Sequence, residues 1–250
     1  MVAKIFSEPV QVANFETDLH GDINLQYLID TIVQVSEDQS NDLAVGINRV
    51  QQAGATWVVI QYDVTIMRLP RANERLEVST QGSEYTNNFA RRNFWARTTD
   101  GQLLVSVTSL WVTMDLKTRK MVKINPEMVT PYGSERVHRI GRMQKIQKLP
   151  SEEVISTNYP VRFSDIDFNG HVSNTHYIGW MVDTLPFSFL KAHRAVGFSI
   201  KFADEVRYGD AVTSRATVLP AETGYDWSVH QILVQEQVSA TAQIKWENLE

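Results

Sequence analysis

Ser164-Asp165-Ile166-Asp167-Phe168-Asn169-Gly170-His171-Val172-Ser173-Asn174-Thr175-His176-Tyr177-Ile178-Gly179-Trp180 decides how this chain is organised, because it has a counterpart near the start. A shift of 149 positions places Asp18 on Asp167, Gly21 on Gly170, Ile23 on Val172 and Tyr27 on His176. At the same shift His20 falls on Asn169 and Asp22 on His171. The two segments read as copies of one turn-and-helix unit, of which the first keeps the turn and lacks the second's polar set.

In the second copy Asp167, Asn169 and His171 alternate at i, i+2 and i+4 on an extended or turning segment, so their side chains can point the same way. The helix that follows offers free amides and a positive end to developing negative charge. Two other readings compete. Asp, Asn and Gly are also the ordinary residues of turns and helix caps. Asp165, Asp167 and His171 would make a metal trio, but no second His or Cys stands at ligand spacing.

Further along, the register between the copies shrinks as loop lengths change. A shift of 136 pairs Arg71 with Arg207, Glu74 with Asp210 and Leu76 with Val212, and one of 135 pairs Trp111 with Trp246. Glu205 then stands opposite Leu69, so a carboxylate in the second half replaces a leucine in the first. Each half begins with an extended lead-in and a Gly turn. A helix follows, with Leu25, Leu28, Ile29, Ile32 and Val33, or Tyr177, Ile178, Met181, Val182 and Leu185, at helical spacing. Pro186 should kink or end the second helix.

Strands with period-two patterning are expected over Trp57–Ile66, Arg75–Thr80, Phe89–Thr98 and Leu103–Met114, then over Gly197–Phe202, Ala211–Leu219, Asp226–Gln235 and Ser239–Glu247. One helix and a run of antiparallel strands per half predicts an α+β fold in which a sheet curls around each helix. The Pro- and Gly-containing stretch around residues 131–150 separates a unit over 1–130 from one over 151–250.

The chain has 250 residues, 43% hydrophobic, with no cysteine. Disulfides, Cys-ligated metals and a cysteine nucleophile are thereby excluded. The absence of a long apolar run and of a signal-like N-terminus points to a cytoplasmic protein with no membrane partner. A net charge of −5 argues against nucleic acid as the main partner, and neither half shows a helix-turn-helix pattern. Charge is nevertheless concentrated: nine basic and two acidic residues lie between Leu116 and Leu149. Lys117, Arg119, Lys120, Arg136, Arg139 and Arg142 are among them, and such a run is either a solvated linker or a docking patch for an acidic partner.

Several segments carry a family resemblance. They are Trp57-Val58-Val59, Arg91-Arg92-Asn93-Phe94-Trp95, Ser109-Leu110-Trp111-Val112, Leu116-Lys117-Thr118-Arg119-Lys120, Asp165 to Asn174, and Tyr177-Ile178-Gly179-Trp180. On these the chain resembles the bacterial acyl-acyl carrier protein thioesterases of double hotdog type, related to the plant plastid enzymes. The resemblance implies two tandem hotdog domains, with the acyl pocket in the first and the catalytic set in the second. It also implies that the set is Asp167, Asn169, His171 and Glu205. The position after the glutamate, often cysteine in the family, is Val206 here, which rules out a thiol nucleophile.

The implied activity is hydrolysis of a long- or medium-chain acyl-acyl carrier protein, releasing free fatty acid, with acyl carrier protein as partner and a homodimer compatible with it. Glu205 would be general base or nucleophile, His171 would share the proton, and Asp167 would orient its neighbours. Asn169 and the backbone N–H groups from Gly170 to Ser173 would hold the oxyanion. Substrate-binding positions are Trp57, Arg91, Arg92, Asn174 and Tyr177, with no metal and no cofactor. An acyl-CoA thioesterase, a dehydratase and a non-catalytic acyl-thioester binding protein are the alternatives. A serine esterase lacks its Gly-x-Ser-x-Gly elbow, the nearest match being Gly197-Phe198-Ser199-Ile200-Lys201. His176 and His193 read as surface or packing residues rather than ligands.

Overall fold

The computed structural model describes residues 3–167, 169–219 and 224–249; Phe168, in the run quoted above, lies outside them. The first half runs β1 (Phe6–Gln11), α1 (Leu25–Asp42), α2 (Ile47–Gln52), β2 (Ala55–Ile66), β3 (Arg75–Tyr85), β4 (Ala90–Thr98), β5 (Leu103–Asp115), β6 (Met121–Val122) and β7 (Glu135–Arg136). The second runs β8 (Ile155–Pro160), α3 (Asn174–Asp183), α4 (Phe187–Ala192), β9 (His193–Phe202), β10 (Ala211–Leu219), β11 (Tyr225–Val234) and β12 (Gln237–Asn248). All eight expected strands are present, and Pro186 is the cap of α4, ending the helical run begun by α3.

The α+β class holds, with one difference from the expectation of a sheet for each half. The strands form one sheet in the order β1-β3-β4-β5-β2-β9-β12-β11-β10-β8, with β6 and β7 added to β5 and β3. The order is mirrored about the β2–β9 pair, where Gln61 to Thr65 run antiparallel to Lys201 to Gly197. Backbones approach closely there: a Cβ at Gly197 would stand 2.9 Å from the Val64 carbonyl oxygen. Only a glycine fits that seam without a shift.

The core is where the helices meet the sheet. Leu25, Leu28, Ile29, Ile32 and Val35 are buried along α1, and Tyr177, Ile178, Trp180 and Met181 along α3. The helices pack against each other, with Gln26 of α1 beside Gly179 and hydrogen-bonded to His176. The α1 helix runs past Val33, the last apolar position read from the sequence, to Asp42 because its polar end is buried against partners. Gln39 Oε1 accepts from Arg92 at 2.7 Å, and Ser40 receives the Tyr132 hydroxyl at 2.7 Å.

After β7 the chain crosses the outside of the sheet as a strap. Gly141 carbonyl accepts from Arg91, the Gln144 N–H donates to Asp63, and the Gln147 N–H donates to Gln243.

Candidate active site

The duplicated turns match bond for bond. Asp18 Oδ1 accepts the N–H of His20 at 2.8 Å and of Asp22 at 3.2 Å; Asp167 Oδ1 accepts the N–H of Asn169 at 2.8 Å and of His171 at 3.5 Å. The glycine of each turn donates to the carbonyl of its aspartate, Gly21 at φ 73° and Gly170 at φ 81°, a left-handed conformation that glycine adopts at little cost. Each turn is tied to the same place in its own half. Ile23 N–H donates to Pro70 carbonyl, and Val172 N–H to Val206 carbonyl. The copies therefore share one frame, and their differences lie in side chains.

In the second copy the frame brings His171 and Glu205 together, Nε2 to Oε2 at 2.9 Å. Asp167 shapes the turn through its Oδ1 and takes the Asn169 amide on Oδ2 at 3.3 Å. Glu205 is held from both sides by Tyr177, whose hydroxyl accepts the Val206 N–H at 2.8 Å and donates to the Asp204 carbonyl. Burial first, and then the Arg119 and Arg207 guanidinia, hold His171 below the ordinary imidazole range against an opposing pull from Asp167. His171 is therefore a neutral imidazole at pH 7.

In the first copy the same position is Asp22, buried at 1% exposure, with Arg194 Nε on Oδ2 and Arg71 Nε 3.7 Å from Oδ1. Leu69, opposite Glu205, is buried. That half holds an ion pair where the other holds a reactive one.

A cavity of about 610 Å³ opens at the polar group, with Asp167, Asn169, His171, Asn174 and Glu205 in its wall. It runs along the first half, between α1 (Asp30, Val33, Ser36, Glu37) and the sheet (Trp57, Val59, Tyr62, Trp111). Its size is that of a small-molecule site. The expected binding residues Trp57, Arg91, Arg92, Asn174 and Tyr177 all line it, in different ways. Arg91 is paired with Glu84 at 3.0 Å. Arg92 is buried, bonded to Gln39 and Thr80 with its guanidinium over the Tyr132 ring.

One expectation needs correction. The N–H groups from Gly170 to Ser173 do not face a substrate oxygen, because Gly170 and His171 bond to Asp167, Val172 to Val206 and Ser173 to Asp165. The open donors are one step on: among the described residues no acceptor pairs with the N–H of Asn174 or Thr175, at the start of α3 and in the cavity wall. Asp165 stands apart from the polar group of the turn. It is buried and takes the Arg162 N–H and Nε, and no three His, Cys, Asp or Glu converge as metal ligands among the described residues.

The sequence also placed Arg119 with the surface charges. It instead contacts Glu205 Oε1 and lines the cavity. No spacing signal joins positions so far apart, and its basic neighbours point outward by composition.

The chain matches the family models "Acyl-ACP thioesterase N-terminal domain" over residues 3–132 and "Acyl-ACP thioesterase C-terminal domain" over 148–248. A relative in Cuphea viscosissima, the chloroplastic acyl-[acyl-carrier-protein] hydrolase FATB3, is 24% identical over 242 residues, which cover 92% of this chain and 58% of the relative. A crystal structure from Lactobacillus plantarum, described provisionally as an oleoyl thioesterase, superimposes with a TM-score of 0.97 at 42% identity, covering 99% of this chain and 98% of that one. The 12:0-ACP thioesterase of Umbellularia californica superimposes at 0.86 with 22% identity over 98% of this chain and 94% of its own, a likeness of fold. Among the described residues no helix is long and apolar enough to cross a membrane.

Proposed function

Because the chain belongs to the acyl-ACP thioesterase family, we propose that it hydrolyses the thioester joining a long- or medium-chain acyl group to acyl carrier protein, releasing the free fatty acid. The observation that carries this reading is the His171–Glu205 pair at 2.9 Å in the wall of a cavity that continues between α1 and the sheet of the first half.

In the proposed reaction Glu205 draws a proton from water, whose oxygen bonds to the thioester carbonyl carbon. The N–H groups of Asn174 and Thr175, with the Asn169 amide, receive the oxyanion, where donors fixed in advance contribute most. The C–S bond then breaks, and the proton shared by Glu205 and His171 goes to the departing sulfur. Asp167 keeps the turn and Asn169 in place. The acyl chain lies along Val33, Val59 and Trp111 in the first half. This chemistry needs no cofactor, and we assign it to the cytoplasm, with residues 131–150 connecting units over 1–130 and 151–250.

Acyl carrier proteins are acidic, and the exposed cations Lys117 and Lys120, on the turn that carries Arg119 to Glu205, suit an acidic partner arriving at the cavity mouth.

The test is free-thiol release from acyl-carrier and acyl-CoA substrates of several chain lengths. We expect the carrier-linked series to be cleaved with the higher kcat/KM. His171→Ala and Glu205→Ala should each lower kcat by about a hundredfold or more with unchanged melting. Preference for acyl-CoA would move the reading to an acyl-CoA thioesterase, and binding without thiol release to a non-catalytic acyl-thioester binding protein. Undiminished turnover in Glu205→Ala would discard the assigned site.

A further inference from the structure

Arg119 belongs to the first half, and its position is built with care. Asp115 Oδ1 takes the N–H groups of Lys117 and Thr118 and the Thr118 hydroxyl, while the Arg119 N–H donates to the Asp115 carbonyl. The turn so closed holds Arg119 at φ 54°, a left-handed conformation unfavourable for a side chain of this size. From there the side chain reaches across to the second half and sets Nη2 on Glu205 Oε1.

The two oxygens of Glu205 thus have separate partners. Oε1 meets Arg119, and Oε2 meets His171 at 2.9 Å. Arg207 stands farther off, 3.7 Å from Oε2, with its side chain 64% exposed against 31% for Arg119. Without Arg119, the nearest cation to Glu205 would sit on the oxygen that His171 uses, and the carboxylate would be free to turn toward it.

We propose that Arg119 is a positioning residue for the hydrolysis, fixing the Glu205 carboxylate so that Oε2 stays on His171, and that the active site is therefore composed from both halves of the chain. This rests on the hydrolase reading above and takes Arg119 out of the set of docking cations. The charged groups around the pair are Arg119 from the β5–β6 turn, Arg207 and Asp204 beside Glu205, and Asp167 from the duplicated turn. Asp204 is itself held by Gln237. Arg119 disfavours the imidazolium form of His171, so its removal should move the acid limb of kcat to higher pH.

The experiment compares wild type, Arg119→Ala and Arg119→Lys. It measures kcat and KM against pH on a carrier-linked substrate and on a small acyl thioester, together with an NMR titration of the His171 imidazole and a melting curve. We expect Arg119→Ala to lower kcat about tenfold to a hundredfold on both substrates, as misplacement of a reacting group does. His171 should titrate at higher pH in that variant, and Arg119→Lys should restore part of both properties. A change confined to KM for the carrier-linked substrate would overturn the proposal in favour of docking. So would a His171 titration identical in wild type and Arg119→Ala. The titration needs no turnover, so a protein that cleaves no thioester would refute the hydrolase reading while the placement of Arg119 is still decided.

Discussion

Replacing Asp22 by alanine separates what the two copies of the turn do. In sequence terms the change lies in the degenerate copy and should be mild. The structure makes that true of turnover alone. The Asp22 carboxylate is 1% exposed and takes Arg194 from the second half, so its loss leaves a guanidinium, 27% exposed, without its carboxylate. Removing one partner of a fully buried pair costs about 3–5 kcal/mol. Arg194 and Arg71 both reach solvent, so the screened value falls below that range, to about 2–3 kcal/mol. In a chain of this size each kcal/mol moves Tm by about 2–4 °C, so the expected fall is about 4–12 °C. Calorimetric melting gives that number, and thiol release well below the transition gives kcat, which should stay within about twofold of wild type. Asp22→Asn, which keeps an acceptor but loses the charge, should fall between. An Asp22→Ala protein that melts with wild type would refute the interface argument, and one that loses kcat as His171→Ala does would refute the assignment of the active copy.

Chain-length preference should respond to Val33, which lines the cavity, rather than to Leu28, Ile29 and Ile32, which are core. Val33→Phe should favour shorter acyl chains in the substrate panel; equal losses at every length would mean misfolding or a pocket elsewhere. Reversing Lys117 and Lys120 to glutamate should raise KM for the carrier-linked substrate, with hydrolysis of a small thioester unchanged and the wild-type preference for carrier shrinking with salt. If neither KM nor salt dependence moves, docking uses another surface, with Arg136 on β7 and Arg139 and Arg142 on the strap to be reversed next. His230 is fully buried, and burial pushes its imidazole down to about 3, while in the unfolded chain it titrates near the ordinary value of about 6.5. Between those values the unfolded chain binds more protons, so stability is lost as pH falls through that window. His230→Phe, copying Phe94 at the matching place of the first half, should flatten the loss of urea midpoint between about pH 7 and about pH 5; an unchanged slope would assign the acid sensitivity to other groups.

How much of this was legible depended on whether the determinant was local. The eight long strands follow from alternation because one face of each is buried, and β2, β3, β9 and β12 extend past the predicted ends. The end of α1 was not legible. Ser36 to Asp42 has no apolar stripe, and the helix persists there through the partners of Gln39 and Ser40, which lie on β4 and after β6. Asp167, Asn169 and His171 could be read together because one turn carries them. The register between the copies singled out Glu205 where the first half has Leu69, its place in the catalytic set needed the family resemblance, and Arg119 was assigned by its basic neighbours to the surface it does not face.

The duplication explains why the missed residues lie across the seam. At each site one guanidinium crosses from the opposite half to a carboxylate. Arg194 of the second half meets Asp22 of the first, and Arg119 of the first meets Glu205 of the second. A histidine at position 22 would face the leucine at 69 and find no acceptor there, whereas an aspartate finds Arg194. A leucine at 205 would leave both His171 and Arg119 without their carboxylate. The substitutions that distinguish the copies are therefore coupled within each site: one set makes a buried ion pair that ties the halves together, and the other makes a base beside a cavity. The cavity itself is walled chiefly by the first half, including Val33 and Trp57. Chemistry and acyl pocket thus come from different copies, and the continuous β2–β9 pairing holds the one against the other.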